Sequence, residues 1–176
     1  MVNLTEMTTY RKIHVIGGPG SGKSFISVKL SRRYGLPVFD LDDLFWDRHA
    51  DRYGIKASPV ERDRALARIL DSSAWIIEGV YYGWLSRSFE AAEKIIILTV
   101  SVGKRDWRIC KRFLQRKVGL VPRKKKESLG DLWELLAWNH SYDREHLCGA
   151  RLAISHLQDK VVECQTFHEV VQALET

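Results

Sequence analysis

Two kinds of hydrophobic pattern take turns along this chain. Residues 12–17, 36–40, 74–79, 94–100 and 160–164 are short runs rich in Ile, Val and Leu. Runs of that length, bounded by Gly, Pro or charged residues, predict β-strands. Ile95 to Leu98 is unbroken, the pattern of a strand covered on both faces. Between these runs, apolar residues recur at helical spacing and predict helices over 22–34, from Ser58 to near Leu70, over 85–92 and over 103–117. A further helix carries Leu132, Leu135, Leu136 and Trp138, and a final one ends at Leu174. Ser58-Pro59-Val60-Glu61 and Thr166-Phe167-His168-Glu169 are capping boxes, and Gly35 stops the first helix. Strands alternating with helices in this way predict a parallel sheet in an α/β layer fold. No repeat or low-complexity linker interrupts it, so one domain over 1–176 is expected, with residues 1–10 as a loose leader.

Composition adds a few exclusions. The 176 residues are 45% hydrophobic and 28% charged, which suits a single globular domain. Lys and Arg total 28 against 22 Asp and Glu, a formal charge of +6. That balance favours anionic ligands, whether nucleotides, nucleic acid or acidic metabolites. Cys110, Cys148 and Cys164 form no C-x-x-C, so neither a disulfide framework nor a zinc knuckle is indicated; buried thiols in a reducing cytoplasm are expected. The apolar runs are strand-sized and the first ten residues lack a signal-peptide core, so a soluble, cytoplasmic protein is expected.

The most specific local feature is Gly17-Gly18-Pro19-Gly20-Ser21-Gly22-Lys23-Ser24, which fits G-x-x-x-x-G-K-[ST] and lies between a predicted strand and a predicted helix. Glycines let such a loop turn tightly and aim backbone N–H groups at phosphate oxygens. Lys23 adds a point charge near the β and γ phosphates, Ser24 can ligate Mg2+, and the following helix N-terminus faces the same anion. The implied ligand is a polyphosphate with Mg2+.

Ligands of parallel α/β sheets sit beyond the carboxyl ends of the strands, so the residues there deserve weight. Asp40-Leu41-Asp42 alternates, which in an extended chain puts both carboxylates on the loop's side. One can hold Mg2+ through water while the other takes a proton from an attacking hydroxyl; alternatively Asp42 or Asp43 caps a short helix. Glu78 ends the third strand and can order Mg2+ or water, or pair with an arginine. Arg105, Arg108, Arg112 and Arg116, spaced 3, 4 and 4, stack along one helix face. Central in the row, Arg108 and Arg112 are the candidates for stabilising a transferring phosphoryl group; the alternative is a solvated basic face. Arg123 to Lys126 reads as a solvated hairpin at a lid tip, with nucleic-acid contact as the alternative. Trp133 and Trp138 are expected in the core, while Trp46 and Trp84 lie nearer the cleft, where they can stack on a base. His140 and His146 receive no metal.

Taken together, IHVIGGPGSGKS, VFDLDDLFW, WIIEGVYYGWLSRSFEAAEKIIILTV, the RxxRxxxRxxxR row and LLAWNHSYDRE resemble a P-loop kinase of the nucleoside monophosphate kinase group. Within it the chain is most similar to small adenylate-kinase-related proteins known as DNA topology modulation proteins of the FlaR type. The resemblance covers most of residues 12–175. It implies a three-layer α/β/α fold with strand order 2-3-1-4-5, an arginine-bearing lid over about 103–130, and an acceptor arm near Arg62 and Arg64. It implies that the polyphosphate is ATP, bound with Mg2+, and matches Lys23 and Ser24 to the phosphate and magnesium residues. Asp40 and Asp42 resemble the D-x-D of shikimate-type kinases, with Asp40 serving the metal and Asp42 the acceptor. Where adenylate kinases carry D-G-F-P-R, this chain reads Glu78-Gly79-Val80-Tyr81-Tyr82; the phosphate-gripping arginine is absent unless Arg87 substitutes, which argues against AMP as acceptor. The expected activity is ATP-dependent phosphoryl transfer to a nucleotide, nucleoside or hydroxylated metabolite. The topology label supplies the alternative, a nucleotide-dependent DNA-binding regulator.

Overall fold

Ile13, Val15, Ile16, Ile76, Ile77, Ile95, Ile96 and Ile97 are all buried, because both faces of the sheet they build are covered. The computed structural model describes residues 9–47, 54–120 and 128–175. Its strands are β1 (Lys12–Gly17), β2 (Val38–Asp40), β3 (Trp75–Gly79), β4 (Lys94–Leu98) and β5 (Val161–Cys164). They pair in parallel in the order β2-β3-β1-β4-β5. The central position of β1 puts the loop after it in the middle of the sheet's carboxyl edge.

The helices are α1 (Lys23–Tyr34), α2 (Asp42–Phe45), α3 (Pro59–Leu70), α4 (Ser86–Ala91), α5 (Val102–Lys117), α6 (Leu129–Tyr142), α7 (Cys148–Ala153) and α8 (Phe167–Glu175). A π-turn over Asp143–Leu147 joins α6 to α7, and a 3-10 segment over Ser155–Lys160 leads into β5. Alternate residues of each strand feed opposite cores. Ile13, Val15, Ile76, Ile96 and Leu98 meet Ile26 and Leu30 of α1 and Val170 and Leu174 of α8. Ile16, Trp75, Ile77, Ile95 and Ile97 meet Leu66 of α3, Phe89 of α4, and Tyr142, Ala150 and Ile154. The result is the expected three-layer α/β/α fold, an open five-stranded sheet between two helical layers.

Several expectations are corrected. β2 starts at Val38 rather than 36, and β4 ends at Leu98 rather than 100. Trp133 is 74% exposed because α6 turns Asn139 and Tyr142 inward instead. Of the three thiols only Cys164 is buried; Cys110 is half-buried and Cys148 exposed. Most of the leader, Arg48, His49, Arg52 and the Arg123–Lys126 block lie outside the described residues. Among the described residues, no helix is long and apolar enough to cross a membrane.

Candidate functional site

The segment Gly17 to Ser24 bends back on itself between β1 and α1, with Ser21 N donating to Gly18 O at 3.2 Å. Gly20 and Gly22 have φ of 70° and 94°, a region that side chains with a Cβ avoid. A Cβ on Gly20 would lie 2.6 Å from the Arg105 carbonyl oxygen, and one on Gly18 would lie 2.8 Å from Tyr142 Cδ1. The loop is therefore pressed against α5 and α6 on its outer side. It hands over directly to α1, whose first residue is Lys23 and whose N-terminal amides are available to an anion.

Two carboxylates face this loop from the neighbouring strands. Asp40 and Glu78 are paired in register at the ends of β2 and β3. Glu78 is only 2% exposed; Ser24 donates its hydroxyl to it, and its Oε2 has no partner among the described residues. Burial raises the Glu78 pKa above the usual carboxylate value, partly offset by the Lys23 charge. Asp40 is also raised, first by burial and then by the charges of Asp42 and Asp43, against the Asp42 amide and Lys23. Both acids thus sense the Lys23 ammonium. An orphaned buried carboxylate oxygen, a serine hydroxyl and a second carboxylate are hard oxygen donors of the kind Mg2+ prefers, so the residues fit that ion. Among the described residues no trio of His, Cys, Asp or Glu forms a self-sufficient metal cage, and Mg2+ is usually held by one or two side chains plus phosphates and water.

The alternation argument for Asp40 and Asp42 fails locally. Leu41 is helical (φ −64°, ψ −22°), and Asp42 opens α2 instead of continuing β2. The Asp40 carboxylate accepts the Asp42 amide at 2.9 Å in a turn that leads into the helix, and neither Asp42 nor Asp43 caps it: the N-cap position is Leu41, which has no capping side chain. Asp42 remains exposed, and its Oδ1 accepts a hydrogen bond from the Tyr81 hydroxyl at 2.7 Å. The Tyr81 ring stacks on Phe45 with centroids 4.4 Å apart and lies 5.9 Å from Trp84. Arg62 sits over Trp84 at 4.3 Å while bonding Asp63. Arg64 and Arg87 are exposed, on α3 and α4. Tyr81 escaped the sequence reading; its signal was a tyrosine three residues past Glu78, where the related motif differs.

The arginine row does not act as one face. Arg105 is 1% exposed, donates to Asp143 at 2.7 Å and to the Asn139 carbonyl at 3.3 Å, and lies over Tyr142. Arg108 is exposed, and its Nη1 donates to the carbonyls of Gly20 and Ser21 at 3.2 and 2.8 Å. Arg112 is exposed one turn further along α5, and Arg116 is half-buried. Asp106 accepts from Asn139 at 2.7 Å and bonds His140 at 2.8 Å. The α5–α6 hairpin is thereby tied to itself and, through Arg108, to the loop over residues 17–24.

No protein-family model matches the chain. A segment of 107 residues is 27% identical to the uncharacterized protein YqaC of Bacillus subtilis (strain 168), covering 60% of this chain and 58% of that protein's length. Among solved structures, the fold is similar to a gluconokinase from Sinorhizobium meliloti 1021 (TM-score 0.50, 17% identity, 94% of this chain and 89% of that one). It is also similar to a shikimate kinase from Bacteroides thetaiotaomicron (TM-score 0.52, 12% identity, 86% of this chain and 98% of that one). Both are P-loop kinases, and at these identities what is shared is the fold.

Proposed function

We propose that this protein is an ATP-dependent phosphotransferase that moves the γ-phosphoryl group to a hydroxyl of a small acceptor. The observation that carries the reading is the convergence of Lys23 and Ser24 with Asp40 and Glu78 at one point on the sheet's carboxyl edge. The amides of Gly17, Gly18, Gly20, Ser21 and Gly22, together with Lys23, bind the polyphosphate, while Pro19 stiffens the turn. Ser24 and Asp40 would hold Mg2+, with Glu78 orienting Ser24 from behind; bound there, the ion neutralises charge on the β and γ phosphates. Asp42 takes the acceptor's proton. Arg108 and Arg112 stabilise the charge spread over the transferring group, Arg108 exchanging its carbonyl contacts for phosphoryl oxygens as the hairpin closes.

The acceptor arm favours an alcohol over a phosphate. Asp40, Asp42 and Asp43 lie close enough for the charges of the latter two to raise the Asp40 pKa, and a dianionic phosphate approaching them would meet like charge. Tyr81, close to the arginine position of adenylate-kinase motifs, donates to Asp42. The resemblance to FlaR-type proteins noted in the sequence rests on the nucleotide half of the site more than on the acceptor half.

The test is an ADP-release screen of wild type and Asp42→Asn against nucleosides, hydroxylated metabolites and nucleoside monophosphates. A hydroxyl compound is expected to stimulate release, with Asp42→Asn slower by about 10²- to 10⁴-fold. Stimulation only by nucleoside monophosphates, with diphosphate products, contradicts the assignment, since a phosphate acceptor needs no base.

A further inference from the structure

We propose that Tyr81 is a positioning residue that aims Asp42 at the acceptor hydroxyl. The inference rests on the phosphotransferase reading above. Asp42 stands exposed on a helix of four residues, a setting in which a carboxylate ordinarily rotates among several rotamers. Here two bonds remove that freedom. Its amide is held by Asp40 at 2.9 Å and its Oδ1 by the Tyr81 hydroxyl at 2.7 Å, leaving Oδ2 to accept a proton.

Tyr81 is itself held on several sides. It follows β3 and the buried Val80, so its backbone is anchored to the strand that carries Glu78. Its ring stacks on Phe45 at 4.4 Å with 25° between planes, and Phe45 lies three residues beyond Asp42 in the same short helix. Trp84, covered by Arg62, closes the other side at 5.9 Å. Tyr81 thus grips α2 twice, by ring and by hydroxyl, and ties the oxygens of Asp42 to the sheet edge where the phosphate-binding loop sits.

The chemistry of the donor matters as much as its position. A phenol is a neutral donor; it fixes the carboxylate without cancelling its charge. In the transfer step the acceptor oxygen bonds to the γ-phosphorus as the bond to ADP breaks. ADP leaves with that electron pair, and the hydroxyl proton passes to Asp42 Oδ2.

The test compares wild type, Tyr81→Phe, Asp42→Asn and the double variant by steady-state ADP release from MgATP. Water is the acceptor in one arm and the most active hydroxyl compound of the screen in the other. Tyr81→Phe keeps the ring stack, and a near-UV circular dichroism spectrum matching wild type verifies it. The expected result is a fall in kcat of about 10- to 100-fold, the scale of a misplaced catalytic group, with the KM for ATP unchanged. In the Asp42→Asn background the tyrosine change should have no further effect, as for two groups acting as one unit. A Tyr81→Phe protein with wild-type kcat, or an effect that adds in full to Asp42→Asn, overturns the proposal while leaving the phosphotransferase reading intact. A wild-type protein that releases no ADP, or a Lys23→Ala protein as active as wild type, overturns that reading and this inference with it.

Discussion

The guanidinium of Arg105, 1% exposed, is paired at 2.7 Å with the carboxylate of Asp143, which belongs to the π-turn after α6. This pair clamps the start of α5 to the end of α6 directly behind Gly18. Removing the acid strands a buried cation. Asp143→Ala is expected to destabilise the fold by about 2 kcal/mol, less than a fully enclosed pair because Asp143 is 44% exposed. Urea denaturation checks it, and unchanged stability would show that solvent replaces the carboxylate without cost.

The same wall constrains the loop. Gly20 combines φ of 70° with a backbone oxygen 2.6 Å from where its Cβ would sit, whereas Gly83 has open space around it. Gly20→Ala should lower the melting temperature and weaken ATP binding; Gly83→Ala should be neutral or slightly stabilising. Equal behaviour of the two variants would mean that the loop relaxes freely.

His14 makes stability depend on pH in a defined direction. It is buried in β1, with Nδ1 2.9 Å from the Ser88 hydroxyl, and burial pushes its pKa down to about 3 from 6.5. The folded chain therefore refuses a proton that the unfolded chain accepts below pH 6.5. The stability tied to neutral His14 is fully present above pH 6.5. It is lost at about 1.4 kcal/mol per pH unit as pH falls toward 3, up to about 5 kcal/mol in all. Comparing wild type with His14→Gln between pH 7 and 4 isolates this contribution from Asp40 and Glu78, whose raised values act in the opposite sense. Parallel stability curves for the two proteins would contradict it.

What could be read from the chain was whatever the chain decides locally. The unbroken Ile95 to Leu98 run and the glycine spacing after β1 carried the sheet and the loop. The Ser58 cap formed only in half: Ser58 Oγ accepts from Glu61 N at 3.2 Å, while the Glu61 carboxylate takes the Ser58 hydroxyl at 2.7 Å instead of the Ser58 backbone N–H that a full capping box requires. Asp40-Leu41-Asp42 misled because alternation says nothing about a side chain that captures an amide two residues on. The arginine spacing placed four guanidinium groups on one helix, but not their surroundings: Arg105 turns inward to Asn139 and Asp143, more than thirty residues away, while Arg108 reaches the carbonyls of Gly20 and Ser21. Tyr81 and Asp42 are separated by 39 positions, and no local pattern announces such a pair.

Calorimetric titration of MgATP into wild type and Lys23→Ala, with adenosine as the control ligand, measures the central relationship directly. If the amides of residues 17–24 and the Lys23 ammonium enclose the polyphosphate, the substitution weakens MgATP binding by at least about 10-fold, roughly 1.4 kcal/mol, and leaves adenosine unaffected. Equal MgATP affinities for the two proteins would contradict the account.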